Sequence, residues 1–147
     1  RMTHVPYSSG NQIAVDLISG DVPVSFQLIP NVAAQLQAKQ VLPLAVTTKT
    51  RSRSLPNVPT MAEEGVQNYE SYAWFGLAAP KGTPKAIVDK LNRETQAVIA
   101  DPDIQRRLTE IGVEPWSTST DDFKKFVSAE IVKWTGIIKA AGIKSSN

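Results

Sequence analysis

"VPVSFQLIPNVAAQLQAKQVLPLAVTT", residues 22 to 48, holds two apolar runs with an amphipathic stretch between them. The first run, residues 22 to 29, alternates enough for a strand, and Pro23 confines it to a strand start or an edge. Asn31 is of a residue type that caps helices, and a helix from Val32 to about Lys39 is expected after it. The second run, residues 41 to 48, is almost continuously apolar, the pattern of a strand buried on both faces of a parallel sheet. Strand, helix and strand in this order predict a βαβ unit.

Toward the N-terminus the alternation continues. "THVPY" (3 to 7) has the composition of a short strand, and "SSGNQ" after it is a polar turn of small residues. A helix from Gln12 to Ser19 places Ile13, Leu17 and Ile18 on one face, with Gly20 as its stop. Toward the C-terminus, the loop 49 to 59 carries Pro56 and Pro59. Thr60 with Glu63 then predicts a capping box and a helix of one or two turns, ended by Gly65.

"NYESYAWFGLAAPKGTP" (68 to 84) concentrates Tyr69, Tyr72, Trp74 and Phe75 ahead of Gly76. It fits a core strand, with Leu77, Ala78 and Ala79 as buried sheet, and it also fits a wall where the backbone approaches a ligand. Beyond it the pattern turns helical. Thr83 as N-cap and Pro84 at the first helical position start a helix striped by Ile87, Val88, Leu91, Thr95, Val98 and Ile99. Asp101-Pro102 restarts it, burying Ile104, Leu108 and Ile111 before Gly112. A last helix is expected from about Thr120 to Ala141, with Phe123, Phe126, Val127, Ile131, Trp134, Ile137 and Ile138 at helical spacing and Gly142 as its end. There is no internal repeat and no low-complexity segment.

Composition narrows the function. With 147 residues, 41% hydrophobic and 20% charged, the chain can bury a globular core. A net charge of +2 is too small to argue for nucleic acid. The one dense basic cluster, Lys49, Arg51 and Arg53, lies in a Ser/Thr-rich loop without stacking aromatics and is read as solvated. There is no cysteine and one histidine, His4, read as a structural strand residue, so thiol catalysis is excluded and a protein-only zinc site disfavoured. Glu63, Glu64, Asp89, Asp121 and Asp122 fall where helix caps and exposed helix faces want carboxylates. No phosphate-binding or nucleophile-elbow motif occurs. No enzyme, cofactor or metal is expected.

What remains is a set of small polar turns after the expected strands, where open α/β sheets bind ligands and where helix N-termini present free N–H groups to anions. "YSSGNQ" offers Ser8 and Ser9 hydroxyls and a Gly10 that permits close backbone approach; it fits a plain capping turn equally well. "FQLIPN" supplies Gln27, a neutral donor and acceptor, and Asn31 at a helix start; a strand end with a cap accounts for it too. "AWFG" adds an aromatic wall before a glycine.

In their order, "HVPYSSG…DLISGDV", "LAVTT…R…LPNVPTMAEEG", "YAWFGLAAPKGTP", "ADPDIQRRLTEIGVEP" and "AEIVKWTGIIKAAGI" resemble the Bug (TctC-like) extracytoplasmic solute receptors of the tripartite tricarboxylate transporter system. The match extends across residues 3 to 143. The resemblance implies an α/β, periplasmic-binding-protein-like (venus flytrap) fold with parallel-type sheets flanked by helices. Members are about twice this length, so about half of the two-domain fold is expected here. Residues 1 to 68 would finish the second lobe, 69 to 82 form the crossover or hinge strand, and 83 to 147 supply helices of the first lobe.

The resemblance also implies a small organic acid bound between the lobes and delivered to membrane transporter subunits. Such receptors hold carboxylates by backbone N–H groups, hydroxyls and waters. The expected cleft-facing residues are Tyr7, Ser8, Ser9, Gly10, Asn11, Gln27, Ala73, Trp74, Phe75 and Gly76. Where the family carries a glycine-rich run, this chain has Ser8-Ser9-Gly10-Asn11, and Gln27-Leu28 replaces a more polar pair. A neutral Gln27 cannot salt-bridge an amino group, which favours a mono- or dicarboxylate over an amino acid. The resemblance implies periplasmic location with a signal peptide upstream, and "RMTHVPYSSG" has the character of a chain entered in mid-strand, so a fragment of something longer is expected. An effector domain of a transcriptional regulator shares this architecture. A receptor half that binds nothing alone, and self-associates or pairs with the missing N-terminal half, is the third reading.

Overall fold

Residues 3 to 143 are described by a computed structural model. Five helices stand among them: α1 (Gly10–Ser19), α2 (Ile29–Gln37), α3 (Lys85–Ala100), α4 (Pro102–Glu110) and α5 (Thr120–Ala140). The chain divides into two units. One holds residues up to Leu77 with Pro102–Pro115, the other Ala78–Asp101 with the residues from Trp116 on. Helix α4 therefore groups with α1 and α2.

In the first unit, α1 begins at Gly10, two residues before the expected start, and Gly20 at φ 88° ends it. The Val22 N–H donates to the Asp16 carbonyl at 3.1 Å and closes that end. Helix α2 begins at Ile29, so Asn31 is not its cap. Leu28 occupies the cap position in extended conformation without a side-chain cap, and Pro30 sits in the first turn. Proline is at no disadvantage there, because the first-turn N–H groups have no helical partner in any case. Helices α1 and α2 pack against each other. Ala14 and Val32, at 4% and 7% exposed, belong to the small core, and Val58 in the loop is buried at 8%.

The segments expected as strands lie between the helices but pair sparingly. Among the described residues the only strand pairing is a parallel bridge between Val46 and Thr60. There the Val46 N–H donates to Pro59 and the Met61 N–H to Val46, at 2.8 and 2.9 Å, while the Ser71 N–H reaches the Thr47 carbonyl at 3.0 Å. The run 41 to 48 is not buried on both faces: Leu42 is 80% and Leu44 63% exposed. Nor are Leu77, Ala78 and Ala79 buried sheet, since all three are exposed. Apolar content shows that a segment is fit to be covered, but a strand is completed only by the neighbour that covers it. His4 is exposed as well.

The predicted capping box forms. The Thr60 N–H donates to Glu63 Oε2 at 2.7 Å, and the Glu63 N–H donates to Thr60 Oγ1 at 3.2 Å. It closes hydrogen-bonded turns over 61 to 65 and not a helix. After α4, Gly112 at φ 78° lies against the first residue of α2: a Cβ there would collide with Ile29 Cγ2.

In the second unit, α3 opens one residue later than expected. Pro84 holds the cap position, and the Thr83 hydroxyl donates to the Pro80 carbonyl at 2.8 Å instead of capping. Of its apolar stripe, Val88, Thr95 and Ile99 are half-buried, whereas Ile87, Leu91 and Val98 are exposed. Asn92 Nδ2 and Gln96 Nε2 both donate to the Thr118 carbonyl, at 3.1 and 3.3 Å, tying α3 to the segment before α5. Helix α5 is anchored by Trp116, whose ring meets Phe126 edge-on at 4.8 Å and Phe123 at 6.3 Å. Glu130 is buried at 9% exposure, with its carboxylate accepting from Trp134 Nε1 at 2.9 Å and Lys133 Nζ at 3.1 Å. A buried charge is tolerated only with such partners.

Candidate functional site

Two turns separate in sequence meet at Gly10. A Cβ placed on Gly10 would lie 2.8 Å from Asn31 Nδ2 and 3.6 Å from Gln27 Oε1. The three nearest heavy atoms therefore come from "FQLIPN" and none from the aromatic stretch. Gly10 is the first residue of α1, and Gln27 and Asn31 bracket the start of α2, so two helix N-termini converge on one small area. Neither helix carries an acidic residue in its first turn. Their positive dipole ends therefore carry no acidic side chain of their own, although in α2 Pro30 has no N–H and the Asn31 N–H donates to the Leu28 carbonyl at 2.9 Å. Gln27 Nε2 is buried with no hydrogen-bond partner, a state that costs free energy unless something else accepts from it.

The other expected site residues distribute unevenly. Ser8 and Ser9 are exposed at the turn. Asn11 is the second residue of α1, and its side chain lies outside the described residues. Tyr7 is half-buried, and its hydroxyl donates to Asp16 Oδ2 at 2.6 Å. That bond holds the Tyr7 hydroxyl above its ordinary pKa of 10.0. Ala73, Trp74, Phe75 and Gly76 are exposed in a segment without regular structure, Trp74 at 37% and Phe75 at 81%. Sequence reasoning missed Asp16. Its spacing of four from Gln12 on a helix was the available signal.

The basic loop forms a different feature. An open hollow of about 490 Å³ is lined by Lys49, Thr50, Arg51, Thr60, Ala62 and Glu63. All three cations of the cluster have carboxylate partners: Lys49 with Glu70 at 3.4 Å, Arg51 with Glu63 at 3.0 Å and Arg53 with Glu114 at 3.5 Å. The Arg51 fork and the Thr60 N–H hold Glu63 at a pKa of about 2. An incoming anion would have to displace these partners, so the hollow is the weaker candidate despite its size. No group of three or more His, Cys, Asp or Glu among the described residues is placed to hold a metal.

Solved structures resemble this chain over nearly its whole length. The chain aligns with R. palustris Rpa4515 with adipate at 39% identity and a TM-score of 0.85, over 96% of this chain and 47% of that one. With the periplasmic binding protein BugD the figures are 33% and 0.81, over 97% and 48%. MatC (Rpa3494) from Rhodopseudomonas palustris with bound malate gives 29% and 0.77, over 91% and 47%. The chain thus spans about half the length of each and carries half of a two-domain, periplasmic-binding-protein fold. Residues 1–143 match the tripartite tricarboxylate transporter family receptor (TctC), and the chain belongs to that family.

Proposed function

We propose that this chain is part of a periplasmic receptor that captures a small carboxylate, without catalysis, and hands it to a tripartite tricarboxylate-type membrane transporter. The observation that carries the reading is the meeting of Gly10, Gln27 and Asn31 at two helix N-termini, with Gln27 Nε2 buried and unpartnered. A carboxylate oxygen would satisfy that donor, and the positive dipole ends of α1 and α2 would favour its charge. Ser8, Ser9 and Asn11 flank this area in sequence, and the 73 to 76 segment would supply an apolar wall to the same cleft. The adipate and malate bound by two similar proteins support the ligand class. Gln27 carries no charge to pair with an ammonium group, so the ligand is a simple organic acid and not an amino acid.

The exposed Leu42, Leu44, Phe75 and Leu77 of the first unit, and Ile131 and Val132 of the second, fit surfaces covered by the rest of a two-lobed receptor. Isothermal titration tests both statements. The full-length receptor should bind adipate or malate and ignore glutamate, while the 147-residue chain alone should bind neither acid. Gln27→Glu should weaken carboxylate binding at least ten-fold, because it sets a like charge against the ligand; ten-fold is about 1.4 kcal/mol. Tight binding of glutamate with no response to either acid would overturn the reading.

A further inference from the structure

Tyr7 has the residue type of a ligand donor, yet its hydroxyl is already engaged with α1. Tyr7 Oη donates to Asp16 Oδ2 at 2.6 Å, and Gln12 Nε2 donates to Asp16 Oδ1 at 2.9 Å. Between those two anchors lie Ser8, Ser9, Gly10 and Asn11, the turn that leads into the N-terminus of α1. Asp16 therefore grips the turn on both sides with its two carboxylate oxygens. Its backbone carbonyl is also engaged, accepting from Ser19 Oγ and from the Val22 N–H, each at 3.1 Å. Asp16 is thus fixed by the C-terminal end of α1 while it fixes the N-terminal end.

We propose that Asp16 is a positioning residue for the carboxylate site, holding the Tyr7–Gln12 turn in the conformation that receives the ligand. The proposal rests on the carboxylate reading given above. Ser8 and Ser9 are exposed, so burial does not order the turn, and a loop ordered only when the ligand arrives loses affinity to that ordering. A carboxylate suits the task because it accepts at both oxygens, whereas an amide has one acceptor. The bond to Asp16 also keeps the Tyr7 hydroxyl protonated, and so a donor, to higher pH than a free tyrosine.

Titration of the full-length receptor with adipate, run beside thermal melts, separates positioning from plain structure. Asp16→Ala should weaken adipate binding at least ten-fold while the melting temperature of the unliganded protein falls by only a few degrees. Tyr7→Phe should weaken it about three-fold, and the double variant should bind no worse than Asp16→Ala alone, because the tyrosine acts through the carboxylate. Asp16→Asn, similar in shape but with one acceptor, should fall between wild type and alanine, and it carries the comparison if the alanine variant does not fold. Binding by Asp16→Ala, or by Asp16→Asn in its place, within two-fold of wild type overturns the proposal. Additive losses from Tyr7→Phe and Asp16→Ala overturn it too. A wild-type receptor silent to both adipate and malate would instead bring down the carboxylate reading on which the proposal rests.

Discussion

Helices α1 and α5 begin in opposite ways. At α5 the Ser119 side chain accepts from the Asp122 N–H at 3.1 Å and donates to the Asp122 carboxylate at 2.8 Å, while Asp121 and Asp122 place negative charge in the first turn. That end is complete in itself and needs nothing from outside. Helix α1 opens on a glycine pressed close to Asn31, with no acid in its first turn. Helix α2, its neighbour, opens on Leu28 with no side-chain cap. The start of α5 is neutralised from within its own first turn, whereas those of α1 and α2 carry no acidic residue of their own.

Three substitutions probe this contrast. The largest effect is expected from Gly112→Ala, because Gly112 packs on Ile29, where α2 starts, and has a positive φ. Left-handed strain and overpacking together should cost about 3 kcal/mol, read from urea unfolding. A loss below about 1 kcal/mol would mean that α2 can shift without cost, and the geometry at Gly10 would then be soft. Next, Ser119→Ala should cost about 1 kcal/mol of stability and leave adipate affinity of the full-length receptor unchanged. An accompanying loss of affinity would erase the distinction between the two kinds of helix start.

The smallest effect concerns acid. Hydrogen bonds from Ser119 and Lys125 hold the Asp122 carboxyl below its ordinary pKa of 3.8. A carboxylate whose pKa is lowered by folding contributes stability that is fully present above the unfolded value. That contribution disappears as pH falls through the folded one. Asp122→Asn should therefore flatten the unfolding free energy slightly below about pH 4 and leave its slope near pH 7 unaltered. An unchanged acid limb would show that the α5 start is held by Ser119 alone.

Helix existence was legible because it depends on neighbours three and four residues apart. All five helices overlap expected ones, though α2 starts three residues early and the short helix expected after Thr60 is only turns; Gly20 and Gly142 stand just beyond the ends of α1 and α5. Caps were less legible. The Asn31 side chain turns to Gly10 and the Thr83 hydroxyl to Pro80, and neither engagement follows from residue type. Strands were the least legible. The runs at 41 to 48 and 69 to 79 are apolar enough for a core, but Leu44 and Phe75 are exposed where no described element covers them. For the site, "YSSGNQ" and "FQLIPN" could each be picked out, but each could equally be a helix start.

The sequence by itself determined the helical framework, the lack of cysteine chemistry and the family, because these rest on local spacing and on motif order. Tertiary structure alone decided that Gly10, Gln27 and Asn31 form one cluster, that the Tyr7 hydroxyl bonds to Asp16, and that Lys49, Arg51 and Arg53 are matched by Glu70, Glu63 and Glu114. The physical reason is the same in each case. A hydrogen bond or ion pair depends on distances of about 3 Å between side chains, and folding sets those distances between residues that the linear order keeps apart.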